Sequence, residues 1–382
     1  LRRLAIILII LLIINLLSGF TVAEKVTIKS ISPSPYYDSQ PKVWGDYIVW
    51  RRAINQNNNG YIELKEPSWI MVHNLESGET WNITPADTEM NGGVFYHAQS
   101  PDISDGKVLY EAQTGLNSSD TKLFIHNISE DKTWELPILS TEHAHGHLHC
   151  IYGNWVAYTN IQNGSRQAYL YNYQDRIYRT ILGVNDDNST YGMVMSKSNI
   201  VLTVKNESGA YGIWIYSIGS GKIETIEIEG ARIMLATSTH GNKVGIISRD
   251  YNSTDWRTHM YVIGGAISDY YNSNGILLWD TQVALYDGQS IQFLQSDSDE
   301  WIPIYGKNPR LGDIYRNTVV WSDNENSEAL YGDARDDYDI YVRTVITDKE
   351  ILFDNLMIVA IIVAIIIGVV LLRLKLYSGN EK

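Results

Sequence analysis

Four of the nine histidines in this chain stand two apart, at His143, His145, His147 and His149 within Glu142-His143-Ala144-His145-Gly146-His147-Leu148-His149. In an extended strand residues i and i+2 share a face, so this spacing can gather four imidazoles on one side. Neutral imidazoles at close range suit zinc, copper or nickel. His97 and His240, each beside the first strand of a repeated unit, are candidates to complete the set. A divalent-metal site is therefore one expectation; a solvated His-rich connector is the other, because Gly146 and the short spacing also suit a loop. Asp333, Asp336, Asp337 and Asp339 form a second cluster. Carboxylates so grouped bind calcium when loop carbonyls complete the oxygen shell, but the glycine of an EF-hand turn is missing, and a solvated acidic hairpin fits the same pattern. No organic cofactor is indicated.

The remaining chemistry-bearing patterns are weak. Gly219-Ser220-Gly221-Lys222 resembles a phosphate loop only faintly: the first glycine is not at the required distance and Ile223 stands where a magnesium-binding hydroxyl belongs. It reads as a hairpin turn. There is no Gly-x-Ser-x-Gly elbow, no His-Glu-x-x-His, and nothing resembling an α/β-hydrolase domain. Cys150 is the only cysteine, so no internal disulfide forms and stability has to come from a large core; the thiol itself reads as a small buried hydrophobe.

These residues are carried by short apolar runs rich in Tyr, Trp, Ile and Val, separated by Gly, Asn, Asp and Ser, an all-β composition. The runs repeat. A polar or Pro step, a turn and an apolar strand occur at Gln40–Trp50 and Ser100–Tyr110, with weaker copies around Gly153, Ser198, Gly241, Gly288 and Arg316. A second alternating strand follows about 20 residues on, roughly half of a blade-sized repeat, as in Trp69–Leu75, Leu123–Ile128, Ala168–Tyr173, Ile213–Ile218 and Asp339–Val342. Two hairpins per repeat make a four-stranded antiparallel sheet, and a period of about 40–50 residues with four strands is that of a propeller blade. The spacing from Gly45 to Gly106 is long, which the polar insertion Asn55–Gly60 explains. That from Gly288 to Arg316 is short, so the sixth blade is either truncated or out of register. The expected fold is a single β-propeller of six or seven blades, with seven the favoured count and Lys25–Ser32 as a strand able to close the ring.

The ends carry different signals. Arg2 and Arg3 precede an apolar run, Leu4–Leu17, and a Thr21-Val22-Ala23 step, which together read as a secretory signal over residues 1–23. Leu356–Leu372 is an apolar run, with Gly368 its only small break, within an expected membrane helix at 355–374, and the basic residues Arg373, Lys375 and Lys382 place the tail, 375–382, in the cytoplasm. Residues 24–354 are then extracellular, in a single-pass type I arrangement, with the last strand almost contiguous with the span. The net charge of −14 becomes more negative once the basic ends are set aside. Such a surface argues against nucleic acid as a partner. Asn82, Asn117, Asn127, Asn163, Asn188, Asn206 and Asn252 each begin an Asn-x-Ser/Thr sequon, in keeping with an exported, glycosylated domain.

The repeats resemble the TolB-like or WD40-like propeller repeats of bacterial periplasmic proteins and archaeal cell-surface antigens. The resemblance rests on the Pro-x-x-x-Gly-x-x-x-Val-Trp step from Pro41 to Trp50 and on Asp339-Ile340-Tyr341-Val342; the Trp-Asp ending of WD40 blades is missing. It implies protein-binding, glycan-binding or envelope-associated roles and supplies no catalytic residue. The function expected is a non-enzymatic binding or cell-envelope scaffold with a protein or glycan ligand outside the cell. The alternative is a His-metal-dependent lyase or hydrolase acting on extracellular polysaccharide.

Overall fold

A computed structural model describes residues 26–33, 36–53, 67–84, 95–114, 121–137, 148–162, 165–182, 189–205, 209–250, 253, 255–270, 273–280, 282–294, 301–306, 309–323 and 338–345. Both expected membrane-related segments lie outside these residues, as do the sequons at Asn117, Asn163, Asn188, Asn206 and Asn252. Among the described residues no helix is long and apolar enough to cross a membrane. Residues 28–343 form one compact unit; of the other, residues 1–27 and 344–382, only the strand residues 26–27 and 344–345 are described.

The described residues are strands and turns. After β1 (Val26–Ser30), blade 1 comprises β2 (Tyr37–Trp44), β3 (Tyr47–Ala53), β4 (Ser68–Asn74) and β5 (Thr80–Asn82). Blade 2 comprises β6 (Phe95–Ser104), β7 (Lys107–Thr114), β8 (Thr121–Asn127) and β9 (Lys132–Glu135). Blade 3 is β10 (His149–Tyr152), β11 (Trp155–Gln162), β12 (Ser165–Asn172) and β13 (Ile177–Leu182). Blade 4 is β14 (Ser189–Met195), β15 (Asn199–Lys205), β16 (Tyr211–Ser217) and β17 (Ile223–Ile226). Blade 5 is β18 (Ile233–His240), β19 (Lys243–Arg249), β20 (Arg257–Val262) and β21 (Ile267–Tyr270). Blade 6 is β22 (Gly275–Trp279), β23 (Gln282–Tyr286), β24 (Ser290–Leu294) and β25 (Trp301–Tyr305). Blade 7 is β26 (Arg310–Tyr315), β27 (Thr318–Asp323) and β28 (Asp339–Val345), with β1 as its fourth strand.

The protein is thus a single seven-bladed propeller of four-stranded antiparallel sheets. The N-terminal strand closes it: Ile31 donates its N–H to the carbonyl of Ile340 at 2.9 Å, and Ile340 donates its own to Ser32 Oγ at 2.7 Å. The sixth blade corrects the sequence-based register. Its inner hairpin turns at Asp280, with Trp279 opposite Gln282, whereas Asp287-Gly288 joins its second and third strands. Nothing is truncated there.

The first strand of each blade lines the axis, and consecutive inner strands lie side by side around it. Between blades the sheets bury apolar faces. Val49, Ile70 and Val72 of blade 1 pack on Ile103, Val108 and Phe124 of blade 2, and equivalent clusters recur around the ring. The Trp of the Val-Trp step, Trp50, is fully buried beside β28, where Ile340 and Val342 cover it. Burying such a side chain stabilises by roughly 1.5–3 kcal/mol. Tyr110, Tyr158 and Trp321 occupy the same position in blades 2, 3 and 7.

The Pro of the repeat forms a bulge rather than a turn. β2 shifts register between Ser39 and Lys42, and β6 between Gln99 and Asp102, with Gln40 and Ser100 at φ 56° and 54°. Proline is tolerated in a strand at such a site, where no ladder N–H is required. Blade 7 bulges at Gly312, where a Cβ would stand 2.4 Å from Pro41 Cγ and 2.8 Å from the carbonyl oxygens of Pro41 and Val320. Gly312→Ala should therefore cost about 1–3 kcal/mol, seen as a lower thermal midpoint. Gly219→Ala, at a turn with nothing within 4 Å of the added Cβ, should leave the midpoint in place.

Candidate functional site

An inner strand is the free edge of its sheet, and alternate backbone N–H groups along it have no strand partner. Side chains of the preceding blade satisfy several of them. Asp313 Oδ2 accepts from Val43 N–H at 3.2 Å, Asp102 Oδ2 from Ile151 N–H at 2.9 Å, and Ser238 Oγ from Leu278 N–H at 3.0 Å. One layer on, Ser104 Oγ accepts from Gly153 N–H at 3.0 Å. Because the inner strands run the same way, residues at equal distance from the hairpin form layers across the axis. Counting back from each turn puts Lys42, Asp102, Cys150, Val194, Ser238, Leu277 and Asp313 in one layer.

This layer surrounds an axial cavity of about 280 Å³. One wall, from adjacent blades 7, 1 and 2, presents Asp313, Lys42 and Asp102. The facing wall presents Cys150, Val194, Met195 and Ser238. Lys42 makes no ion pair or hydrogen bond through its ammonium with any described residue, so it meets the carboxylates through the cavity rather than by contact. Burial draws its pKa down, but the charges of Asp313 and Asp102 outweigh this and hold it above the ordinary lysine value. Burial raises the Asp313 carboxyl, against the pull of Lys42. Burial and the Asp102 charge push the Cys150 thiol well up, which favours its neutral form.

The hairpin end of the cavity is closed by aromatic rings from the next layer. Trp44 of blade 1 reaches Tyr152 of blade 3 (centroids 5.3 Å apart), Trp279 of blade 6 (5.6 Å) and Tyr315 of blade 7 (5.0 Å). A side chain that touches three other blades lies across the axis. Trp279 also packs on Tyr315 at 4.3 Å and on His240 at 4.1 Å. At the opposite end stand the bulges, where Gln40 Oε1 accepts from Ser100 N–H at 2.9 Å and His149 Nε2 donates to the Ser100 carbonyl at 2.7 Å.

The sequence-predicted histidines are not brought together among the described residues. His149 sits at the bulge-side mouth, as the first strand of its blade requires. His240 is in the aromatic layer, at the hairpin end of β18, equivalent to Trp44 rather than to His97. His97 is in β6 opposite Gln113 and bridges Ser68 of β4. His143, His145 and His147 lie outside the described residues, as do Asp333, Asp336 and Asp337; Asp339 is buried in β28. Among the described residues no three His, Cys, Asp or Glu side chains are grouped to hold a metal. Of the sequons, Asn82 is exposed at the end of β5 with its side-chain oxygen on Thr84 N–H at 2.8 Å, and Asn127 ends β8 with its oxygen on Ser129 N–H at 3.2 Å. Sequence reasoning passed over Lys42, Asp102 and Asp313. The signal was the two-residue alternation counted back from each turn, available once the turn of each blade is placed.

No family model and no curated protein matches this sequence. Solved structures do. The β-propeller domain of the Trilobed protease from Pyrococcus furiosus matches with a TM-score of 0.59 at 13% identity, over 82% of this chain and 98% of that one. An acylaminoacyl peptidase from Pyrococcus horikoshii matches with a TM-score of 0.54 at 10% identity, over 82% of this chain and 52% of the peptidase, so the chain spans about half of that enzyme's length. TolB from Acinetobacter baumannii matches with a TM-score of 0.42 at 11% identity, over 72% of this chain and 60% of that one. At these identities the likeness is one of fold.

Two further histidines give the fold a pH dependence. His73 and His126 occupy the same place in blades 1 and 2, are almost fully buried, and bond through Nδ1 to Thr80 and Thr133 at 2.8 and 2.9 Å. Burial lowers both pKa values, and that of His240 as well. A depressed imidazole takes up its proton less readily folded than unfolded, so stability should fall as pH drops below the ordinary value of 6.5. The raised carboxyls of Asp38 and Asp313 act in the opposite sense. Blades 3 to 5 carry Tyr171, Tyr216 and Tyr261 at this position. The double replacement His73→Tyr with His126→Tyr should fold and flatten the loss of thermal midpoint between about pH 7 and pH 5; an unchanged slope would remove these residues from the account.

Proposed function

We propose that this chain is a non-enzymatic binding propeller displayed on the outer face of a membrane, holding its ligand at the axis of the ring. The observation that carries the reading is the axial pocket. It is closed at one end by Trp44 and lined by polar groups, yet its carboxylates hold backbone N–H groups of the next blade and its one thiol is neutral. No described side chains there pair a nucleophile with a base. Pockets of this kind bind and orient small groups. The membrane location draws its support from the sequence: the apolar run Leu356–Leu372, the basic tail after it and the signal-like residues 1–23. The sequons and acidic character accord with an exported domain.

Two measurements test the reading together. Proteolysis of intact cells should degrade the propeller and leave only a short C-terminal fragment; a protected propeller would overturn the orientation. Elemental analysis of the purified full chain should find no stoichiometric transition metal. A metal present at one per chain, and lost when His145 and His147 are replaced, would instead favour the metal-dependent lyase or hydrolase acting on extracellular polysaccharide.

A further inference from the structure

The seven-fold repeat provides its own control for the axial layer. Ser238 bonds the next blade's N–H at 3.0 Å with a neutral hydroxyl, and Asp102 and Asp313 perform the same task with carboxylates at 2.9 and 3.2 Å. Holding the blades together therefore does not require a charge at positions 102 and 313. Lys42, in the same layer, cannot accept an N–H at all, so the lacing does not explain it either. The three charged residues come from consecutive blades 7, 1 and 2 and give one wall of the pocket an alternating negative, positive, negative character. Lys42 lines the cavity with no hydrogen bond or ion pair from its ammonium to any described residue, meeting the charges of Asp313 and Asp102 only at longer range, whereas the opposite wall offers Val194 and Met195. A cavity of about 280 Å³ is at the lower end of small-molecule pockets. A ligand matching both walls is small, carries an anionic and a cationic group close together, and has an apolar substituent.

Building on the reading of the chain as a binding propeller, we propose that the axial pocket binds a free amino acid with an apolar side chain. Its carboxylate pairs with Lys42, its ammonium with Asp313 or Asp102, and its side chain lies against Val194 and Met195. The remaining lone pairs of each aspartate take the ammonium while the lacing bonds stay in place, so binding requires no opening of the ring. Entry is from the bulge end, past Gln40 and His149, because Trp44 obstructs the other.

Titration calorimetry on the full chain in detergent tests this directly with L-valine, L-leucine and L-methionine as probes, each beside its N-acetyl derivative and its methyl ester. The free amino acids should bind, and removing either charge should weaken binding by about tenfold or more. In Lys42→Met the ester and the free acid should become equivalent, and in Asp313→Asn, whose amide oxygen can still accept from Val43 N–H, the penalty for N-acetylation should shrink. Circular dichroism and the thermal midpoint establish that each variant is folded. Absence of binding by the native chain at millimolar ligand, or binding indifferent to both modifications, would overturn the proposal. So would tighter binding of neutral hexoses, or a folded Lys42→Met that still discriminates against the ester. Those failures would leave the surface-binding reading standing, because proteolysis of cells and metal content are independent of the occupant of this pocket.

Discussion

A propeller sheet has two apolar faces and can bury both only if the ring closes. Seven sheets arranged around an axis give every blade two neighbours, but the last face is covered only when the chain's first strand meets its last blade. Here that meeting is made by Ile31 and Ser32 with Ile340. Each bond is worth little by itself, about 1 kcal/mol. Their weight comes from what closure buries: Trp50, Val43 and Ile48 of blade 1 share one cluster with Val320, Ile340 and Val342 of blade 7. With no disulfide available, the fold depends on that cluster being continuous with the others around the ring.

Closure also brings seven free strand edges to the axis, and what is done with them determines the site. Unpaired backbone N–H groups facing a narrow channel need acceptors. Asp313, Asp102, Ser104 and Ser238 provide them from the preceding blade, so the groups that line the pocket are also those that fix the spacing of blades. The same economy recurs at the outer hairpins. Asn74, Asn127 and Asn172, each ending a third strand, turn their side-chain oxygens onto the N–H groups of the following turn. Carboxylates placed at the axis bring a cost that hydroxyls do not, since burial raises the Asp313 pKa. Lys42 offsets part of it at a distance.

How far the fold was legible in the sequence depended on glycine. Where the inner hairpin carries Gly45, Gly106, Gly153 or Gly241, the positive φ required by the turn is visible in the residue type, and four blades could be placed directly. In blade 6 the inner turn uses Asp280 at φ 51° while the glycine, Gly288, serves the next turn, so the stronger signal pointed one strand too far. Aspartate enters the left-handed region more readily than most residues, but nothing in its neighbours marks it as doing so. The bulges were hidden for a related reason: Gln40 and Ser100 adopt positive φ before proline, against their residue type. Once a bulge is missed, the count along the strand slips by one for the residues beyond it, such as Ser39 and Gln99. The histidine cluster drew attention by composition, but of its four members only His149 falls among the described residues, and it hydrogen-bonds a bulge carbonyl.

The two ends of the channel differ because of strand direction. All inner strands run toward their hairpins, so the hairpin end collects the last side chain of each strand: Trp44, Ser104, Tyr152, Ser196, His240, Trp279 and Tyr315. Large rings dominate, and since aromatic pairs favour tilted and edge contacts at about 4.5–7 Å, one tryptophan can meet several partners across the axis. The other end collects the bulges, where Gln40, Ser100 and His149 hydrogen-bond one another. A sequence that places aromatic residues just before most turns and, in blades 1 and 2, proline three residues before the strand's last residue therefore specifies an apolar floor, a polar mouth and a charged layer between them. The polarity of the axial cavity is thus a consequence of the repeat itself, with its charged wall supplied by blades 7, 1 and 2.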